Sequence, residues 1–340
     1  MGGYYKYYKI GYIWDGYLDK ITPEDMNILT HINIAFGLVE NGKIKTGHLK
    51  NKDYINKLRE YNPGIKILLS VGGWGAGGFS TAASTPGGCV KFAESGYEAY
   101  KKLGLDGIDI DWEYPSSDAA GIDYSPDDKY NFTAMLKNLR EALPEPAMLT
   151  IAAGAGEYFI AGTEMDKAQG YLDYVQLMTY DMCWGDTATH HTNLYPSNNN
   201  IKSGAAYSVD LFNKAGVPLE KIIIGAAFYS REWHNIISAE NGGLHQKTGK
   251  GAGFAGNGPK YTDIRDNYIN KNGYVRYWDD TAKAPYLFNE KTGHFITYDD
   301  EESIKYKCEY IKKTGIKGIM YWEHSCDPKR YLIKAIKDNL

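Results

Sequence analysis

The sequence predicts an α/β protein, a (β/α)8 barrel with a small α+β insertion between strands seven and eight, on three observations. Eight apolar, β-branched-rich runs recur along the 340 residues, helical patterns fill most gaps between them, and the last gap is far longer than the rest. The runs are Tyr8 to Trp14, Ile32 to Val39, Ile65 to Val71, Gly107 to Trp112, Met148 to Ala153, Tyr174 to Met178, Ile222 to Phe228 and Gly318 to Trp322. Strand, helix, strand repeated in this way implies a parallel sheet, and eight such units close into a TIM barrel.

Helices are expected over Pro23 to Leu29, Asp53 to Tyr61, Val90 to Leu103, Pro126 to Leu143, Ser203 to Ala215 and Glu301 to Thr314. The fourth carries a start signal, with Ser125 as N-cap, Pro126 in the first turn, and Asp127 and Asp128 facing the positive end of the helix dipole. About 90 residues separate Phe228 from Gly318, where a strand-helix unit needs far fewer. Residues 234–295 are therefore expected to form the insertion, and 1–233 with 296–340 the barrel. Short strand-like pieces at Tyr274 to Trp278 and Tyr286 to Asn289, dense in aromatics, argue against a disordered loop.

Composition excludes several functions. A chain that is 43% hydrophobic and 24% charged can fill a core and solvate it. With Lys+Arg 38 against Asp+Glu 42, a formal charge of -4, there is no basic excess for a phosphate backbone, so nucleic acid is not an expected partner. No apolar run approaches the roughly 18 to 20 residues that span a bilayer, so no membrane association is expected either. Cys89, Cys183, Cys308 and Cys326 are too scattered for a disulfide framework or a paired zinc site. The opening Met-Gly-Gly-Tyr-Tyr-Lys lacks the apolar core of a signal peptide and has Lys6 where a myristoylation motif wants Ser or Thr. Either the chain is intracellular or a leader has been removed; secretion with the leader absent from this chain is expected, with a cytoplasmic location left open.

The sharpest chemical signal is Asp106-Gly107-Ile108-Asp109-Ile110-Asp111-Trp112-Glu113-Tyr114. On a strand, Asp109, Asp111 and Glu113 share one face while Ile108, Ile110 and Trp112 share the other. The apolar face suits packing against helices, which sends the three acids into the barrel toward its catalytic end. Like charges so crowded cost several kcal/mol unless protons are shared and pKa values driven apart, an arrangement a merely structural sequence avoids. Asp106 falls out of step and is expected to be structural. Converging carboxylates serve either metal-assisted hydrolysis or acid/base attack on a glycosidic bond. The other strand ends supply Tyr12, Trp14, Phe36, Gly72, Gly73, Trp74, Tyr180, Tyr229 and Trp322, flat aromatic faces that suit sugar rings and not a metal ion.

The acidic run resembles the D-G-x-D-x-D-x-E signature of family 18 glycoside hydrolases, the chitinases and their relatives. Leu69-Ser70-Val71-Gly72-Gly73-Trp74 looks like the S-x-G-G of that family's third strand, Gln176-Leu177-Met178-Thr179-Tyr180-Asp181 like the M-x-Y-D of its sixth, and Gly315 to Glu323 is similar to its eighth. The resemblance covers essentially the whole chain, in order, and the insertion matches the branch of chitinases that carries one. It implies Glu113 as general acid, Asp111 as the group that orients the substrate's N-acetyl nucleophile, Asp109 as its proton-sharing partner and Tyr180 as a hydrogen-bonder to the acetamide. This is the substrate-assisted exception to the two-carboxylate retaining mechanism. Expected sugar-binding residues are Tyr12, Phe36, Gly73, Trp74, Tyr114, Met178, Asp181, Tyr229, Arg231, Trp278 and Trp322. The implied partner is chitin or an N-acetylglucosamine oligosaccharide, acted on by a monomer with no metal and no cofactor. Gly225-Ala226-Ala227-Phe228-Tyr229 departs from relatives that often place Pro before the aromatic.

Other readings are an endo-β-N-acetylglucosaminidase, a peptidoglycan-directed hydrolase, or a non-enzymatic chitin-binding lectin on the same barrel. Such lectins are expected to lack the last acid of the signature, and Glu113 is present. Gly73 to Gly78 contains G-x-G-x-x-G after a strand, with Glu94 about 20 residues on. Pro86-Gly87-Gly88 interrupts the helix that a dinucleotide site needs, and Glu94 falls inside a helical stretch. His190-His191 near Cys183 and His324 near Cys326 lack a second pair at zinc spacing and are read as loop residues. Asn131-Phe132-Thr133, a glycosylation pattern, falls within the expected fourth helix.

Overall fold

A computed structural model of the chain describes residues 5–198, 202–250 and 254–340. The barrel strands are β1 (Tyr8–Trp14), β2 (His31–Glu40), β3 (Lys66–Gly72), β4 (Gly107–Asp111), β5 (Met148–Gly154), β6 (Tyr174–Met178) and β7 (Ile222–Ala227). After β7 come β8 (Tyr229–Trp233), β9 (Phe254–Lys260), β10 (Val275–Asp279), β11 (Ala284–Asn289) and β12 (His294–Thr297), and the barrel resumes with β13 (Gly318–Trp322). Barrel order is β1-β13-β7-β6-β5-β4-β3-β2, and a β1–β2 pairing closes the ring. Lys43–Lys45 adds a short antiparallel strand on the far end of β2. The fold is the (β/α)8 barrel the eight runs predict, each run within a residue or two of its strand.

The chain gathers into two compact units: Met1–Leu177 with Val209–Ile223 and Gly315–Met320, and Met178–Ser208 with Ile224–Thr314 and Tyr321–Leu340. In the first, β4 shows why its sequence alternates. Ile108, Ile110 and Trp112 are all but fully buried on the helix side, where Trp112 stacks on Phe79 at 5.3 Å and meets Phe132 edge-on. Asp106 is indeed structural, held by Lys66 and Arg59 while accepting from the Ile67 amide.

Several helix starts differ from expectation by one to four residues, and in two the local cause is visible. The fourth expected helix begins at Asp128 with Asp127 as N-cap, not at Pro126 after Ser125. The Asp128 carboxylate is buried, accepts from Ser80 Oγ at 2.7 Å, and turns back to the Ser125 amide at 2.7 Å, so Ser125 and Pro126 are spent in the turn before the helix. Pro86 opens the Pro86–Leu103 helix, with Thr85 capping it through the Gly88 amide. The break expected there separates this helix from a short one at Phe79–Ala83. Glu94 lies within the longer helix, as does Asn131 in its own, so the dinucleotide reading and the glycosylation pattern both lose their context.

The second unit contains a five-stranded antiparallel sheet, ordered β9-β8-β12-β11-β10. Its apolar core joins Trp233, Ile236, Leu244, Tyr286, Phe288 and Phe295 to Cys183 and Ala188 from the loop after β6. That loop is stitched in by Ala188 N to Gln246 O and by His191 N to Thr297 Oγ1. Beneath it lies a buried ion pair, Lys307 Nζ to Asp299 Oδ2 at 2.6 Å, with Thr192 Oγ1 bonded to both. Among the described residues no helix is long and apolar enough to cross a membrane.

Candidate active site

The geometry of the first unit begins at β4, whose parallel pairing sets Asp109 beside Ser70 and Asp111 beside Gly72 of β3. Asp109 is fully buried and accepts four hydrogen bonds: Tyr12 Oη at 2.8 Å and Ser70 Oγ at 2.7 Å on one oxygen, Thr150 Oγ1 at 2.6 Å and Gln176 Nε2 at 2.9 Å on the other. These donors come from β1, β3, β5 and β6, so the barrel converges on one carboxylate. Burial pushes the Asp109 carboxyl up, and the four donors hold it back by favouring the anion.

Asp111 has no such support. Its Oδ1 is buried with no hydrogen-bond partner among the described residues. Burial, then the charges of Glu113 and Asp109, push its carboxyl well above the usual aspartate range. Both acids of this strand face are thus pushed up, Asp111 well above its usual range and Asp109 against the pull of four neutral donors that favour its anion. Glu113, two residues past Asp111 and just beyond the strand's end, is 8% exposed.

Two glycines let the backbone pass this close. A Cβ on Gly72, at φ +118°, would lie 2.1 Å from the Asp111 carbonyl oxygen, and one on Gly73, at φ +94°, would enter the Phe36 ring. Phe36 meets Trp14 edge-on at 5.5 Å. Trp74 is 65% exposed and lies 6.3 Å from the Tyr114 ring, which in turn meets Tyr158 at 5.1 Å. Tyr12, expected to face sugar, is 2% exposed with its hydroxyl on Asp109, so it acts on the acid. Ser70 stood in the sequence only as the first letter of the S-x-G-G resemblance, and Thr150 and Gln176 carried no assigned role; the register identifies all three as donors to Asp109.

In the second unit, Tyr180, Asp181, Tyr229 and Arg231 form a group of their own. Arg231 grips Asp181 with two bonds, Nε–Oδ1 at 2.6 Å and Nη2–Oδ2 at 2.7 Å, also bonds Asn257 Oδ1, and lies over the Tyr229 ring. Tyr180 meets Tyr229 edge-on at 6.1 Å. Burial pushes the Asp181 carboxyl up, but hydrogen bonds and charge from Arg231 and His191 outweigh it and hold the acid far below its usual range. Met178 is buried. Trp278 packs on Tyr306 and lies under the Arg276 guanidinium. The Trp322 carbonyl accepts from the Phe228 amide, and Phe228, in the segment that lacks the expected proline, stacks on Tyr321 at 4.0 Å. His190, His191 and His324 are buried in connections, against Asp279, Asp181 and Tyr321. Trp184, 75% exposed, carries no sequence signal beyond being a tryptophan.

A model of the family described as glycosyl hydrolases family 18 matches residues 2–327. The chain belongs to that family. This family 18 chain is 39% identical to chitinase A1 of Niallia circulans over 85% of its length, though it spans only 44% of that relative. It is 31% identical to mouse chitotriosidase-1, covering 89% of this chain and 68% of the relative. Among solved structures, a family 18 N-acetylglucosaminidase from Paenibacillus barengoltzii superposes with a TM-score of 0.94 at 50% identity, covering 98% of this chain and all of that one. The multi-modular chitinase ChiW of a Paenibacillus strain superposes at 0.90 with 40% identity, covering 98% of this chain and 42% of the other.

Proposed function

We propose that this family 18 glycosidase is a chitinase that cleaves β-1,4 bonds between N-acetylglucosamine units with retention, using the substrate's own acetamide as nucleophile. The row Asp109, Asp111 and Glu113 carries the reading. Glu113, at the outer end of the row, protonates the leaving glycosidic oxygen. Asp111, the acid inclined to hold a proton, orients the acetamide by hydrogen bonding, then stabilises the charge of the cyclic oxazolinium as that proton moves toward Asp109. Asp109, fixed by four neutral donors, can receive a share of it without leaving its place. No carboxylate is then needed as nucleophile.

Tyr180 bonds the acetamide in this scheme, and Asp181 and Arg231 bond sugar hydroxyls. Phe36, Trp74, Tyr114, Met178, Tyr229, Trp278 and Trp322 supply apolar faces, the exposed Trp74 most plainly. Chitinases among the relatives and in the matched structures support the substrate class. The decisive test is what the substrate must bring. Fully deacetylated chitosan and cellulose should be inert, the first product should be the β anomer by NMR, and thiazoline mimics of the cyclic intermediate should compete. Glucosamine at a substantial share of new reducing ends, or an α-anomeric first product, would mean that a carboxylate attacks or activates water directly.

A second reading, release of single N-acetylglucosamine units, is favoured by the 50% identity to the Paenibacillus N-acetylglucosaminidase. Timed digestion of oligomers of graded length separates the two. Monomer as the sole early product supports release of single units, whereas mixed dimers and trimers support the chitinase.

A further inference from the structure

We propose that the antiparallel sheet of the second unit carries a site for a zinc-class divalent transition metal, with Glu232, His234 and His294 as ligands. The strand register creates it. β8 and β12 pair antiparallel with Phe295 opposite Trp233 and Ile296 opposite Glu232, so His294 falls opposite His234, one step beyond β8. Side chains alternate along a strand, so Glu232, His234 and His294 project from one face. Their ligand atoms all lie within 4.8 Å of one another.

The geometry is that of a coordination set. Both imidazoles turn Nε2 toward the one carboxylate, His234 at 3.2 Å and His294 at 3.1 Å, with their rings stacked at 4.1 Å and 18°. Edges of about 3.3 Å separate ligand atoms in a tetrahedron with metal–ligand bonds of about 2.0 to 2.1 Å. A cation here replaces the two Nε2 protons that otherwise bond Glu232. The Tyr274 hydroxyl lies 2.6 Å from His294 Nδ1, and once a metal has displaced the Nε2 proton it can accept a hydrogen bond from Nδ1–H, which holds the ring with Nε2 on the metal. Gly258 keeps the carboxylate open, since a Cβ on it would lie 3.2 Å from Glu232 Oε2. His234 is 56% exposed, which gives the metal an entry path and leaves its fourth position to water. Two imidazoles and one carboxylate select zinc and its neighbours over magnesium or calcium, which prefer all-oxygen shells. Nothing ties this site to the hydrolytic chemistry; it cross-links β8 to β12.

Titration calorimetry of the full chain with zinc chloride, after dialysis against a chelator, tests the proposal. One equivalent should bind with Kd of about 10 μM or tighter. His234→Ala, at an exposed position where folding is not at risk, should weaken binding at least tenfold, and His294→Ala likewise. Tyr274→Phe, which keeps the ring, should weaken it by roughly tenfold. Cobalt loading should give the intense visible absorption of a four-coordinate ion, and anomalous diffraction at the zinc edge should place the peak between the two imidazoles. Uptake below one equivalent, affinity unchanged in His234→Ala, or an anomalous peak elsewhere overturns the site.

Discussion

Glu113→Gln keeps the shape of the proposed general acid and removes its proton, so on that proposal turnover should fall about a hundredfold or more while oligosaccharide affinity stays within a fewfold. A rate near wild type in that variant would remove Glu113 from its role. Asp111→Asn should slow hydrolysis as well, yet its stability should move the other way. The Asp111 carboxyl titrates above its unfolded value, so its favourable contribution is complete below the ordinary aspartate range and is lost as pH rises through the raised value. The Asn variant should therefore melt at the wild-type temperature near pH 3 and at a higher one near pH 8, because only the wild type must then keep a proton that its unfolded chain has released. Melting curves at both pH values check the sign. The acids were legible because a period of two with charge on one face and bulk on the other is written in the letters. Tyr12 was not, because its hydroxyl's commitment to Asp109 depends on a strand 97 residues away.

At the scale of elements, the long apolar runs declared themselves, whereas helix starts rested on local competition that single letters do not reveal. Ser125 looks like a cap, but Asp128 is buried and needs the Ser125 amide and the Ser80 hydroxyl, and that requirement moves the start by two residues. Thr85 is a true cap, and Thr85→Ala should cost about 1 kcal/mol without changing kcat, as denaturant titration and kinetics would read. Lys307 shows a larger effect. It is fully buried and bonded to Asp299 and Thr192, so Lys307→Ala strands the Asp299 charge and should cost about 3 to 5 kcal/mol. Lys307→Met together with Asp299→Asn should recover part of that loss. The histidine pair of the antiparallel sheet left no trace in spacing, since His234 and His294 lie 60 positions apart and only strand pairing unites them.

For the molecule as a whole, the sequence showed that something is inserted, though not how deeply it is rooted. Removing residues 234–295 looks harmless on the barrel diagram, yet Trp233, Cys183 and Ala188 belong to the same apolar core as Phe288 and Phe295. A chain bridged across that deletion should aggregate or melt far below wild type, as light scattering and calorimetry would show. The pairing of the first strand with the last has its own consequence, one of timing. The backbone of Tyr8 bonds to Lys317, so the first strand meets its second neighbour only when the last strand exists. At ribosomal speeds of about 5 to 20 residues per second, β1 waits roughly 15 to 60 s with one edge unpaired. Nascent chains stalled before Gly318 should thus remain open to protease and to chaperones, however much of the ring has already been made.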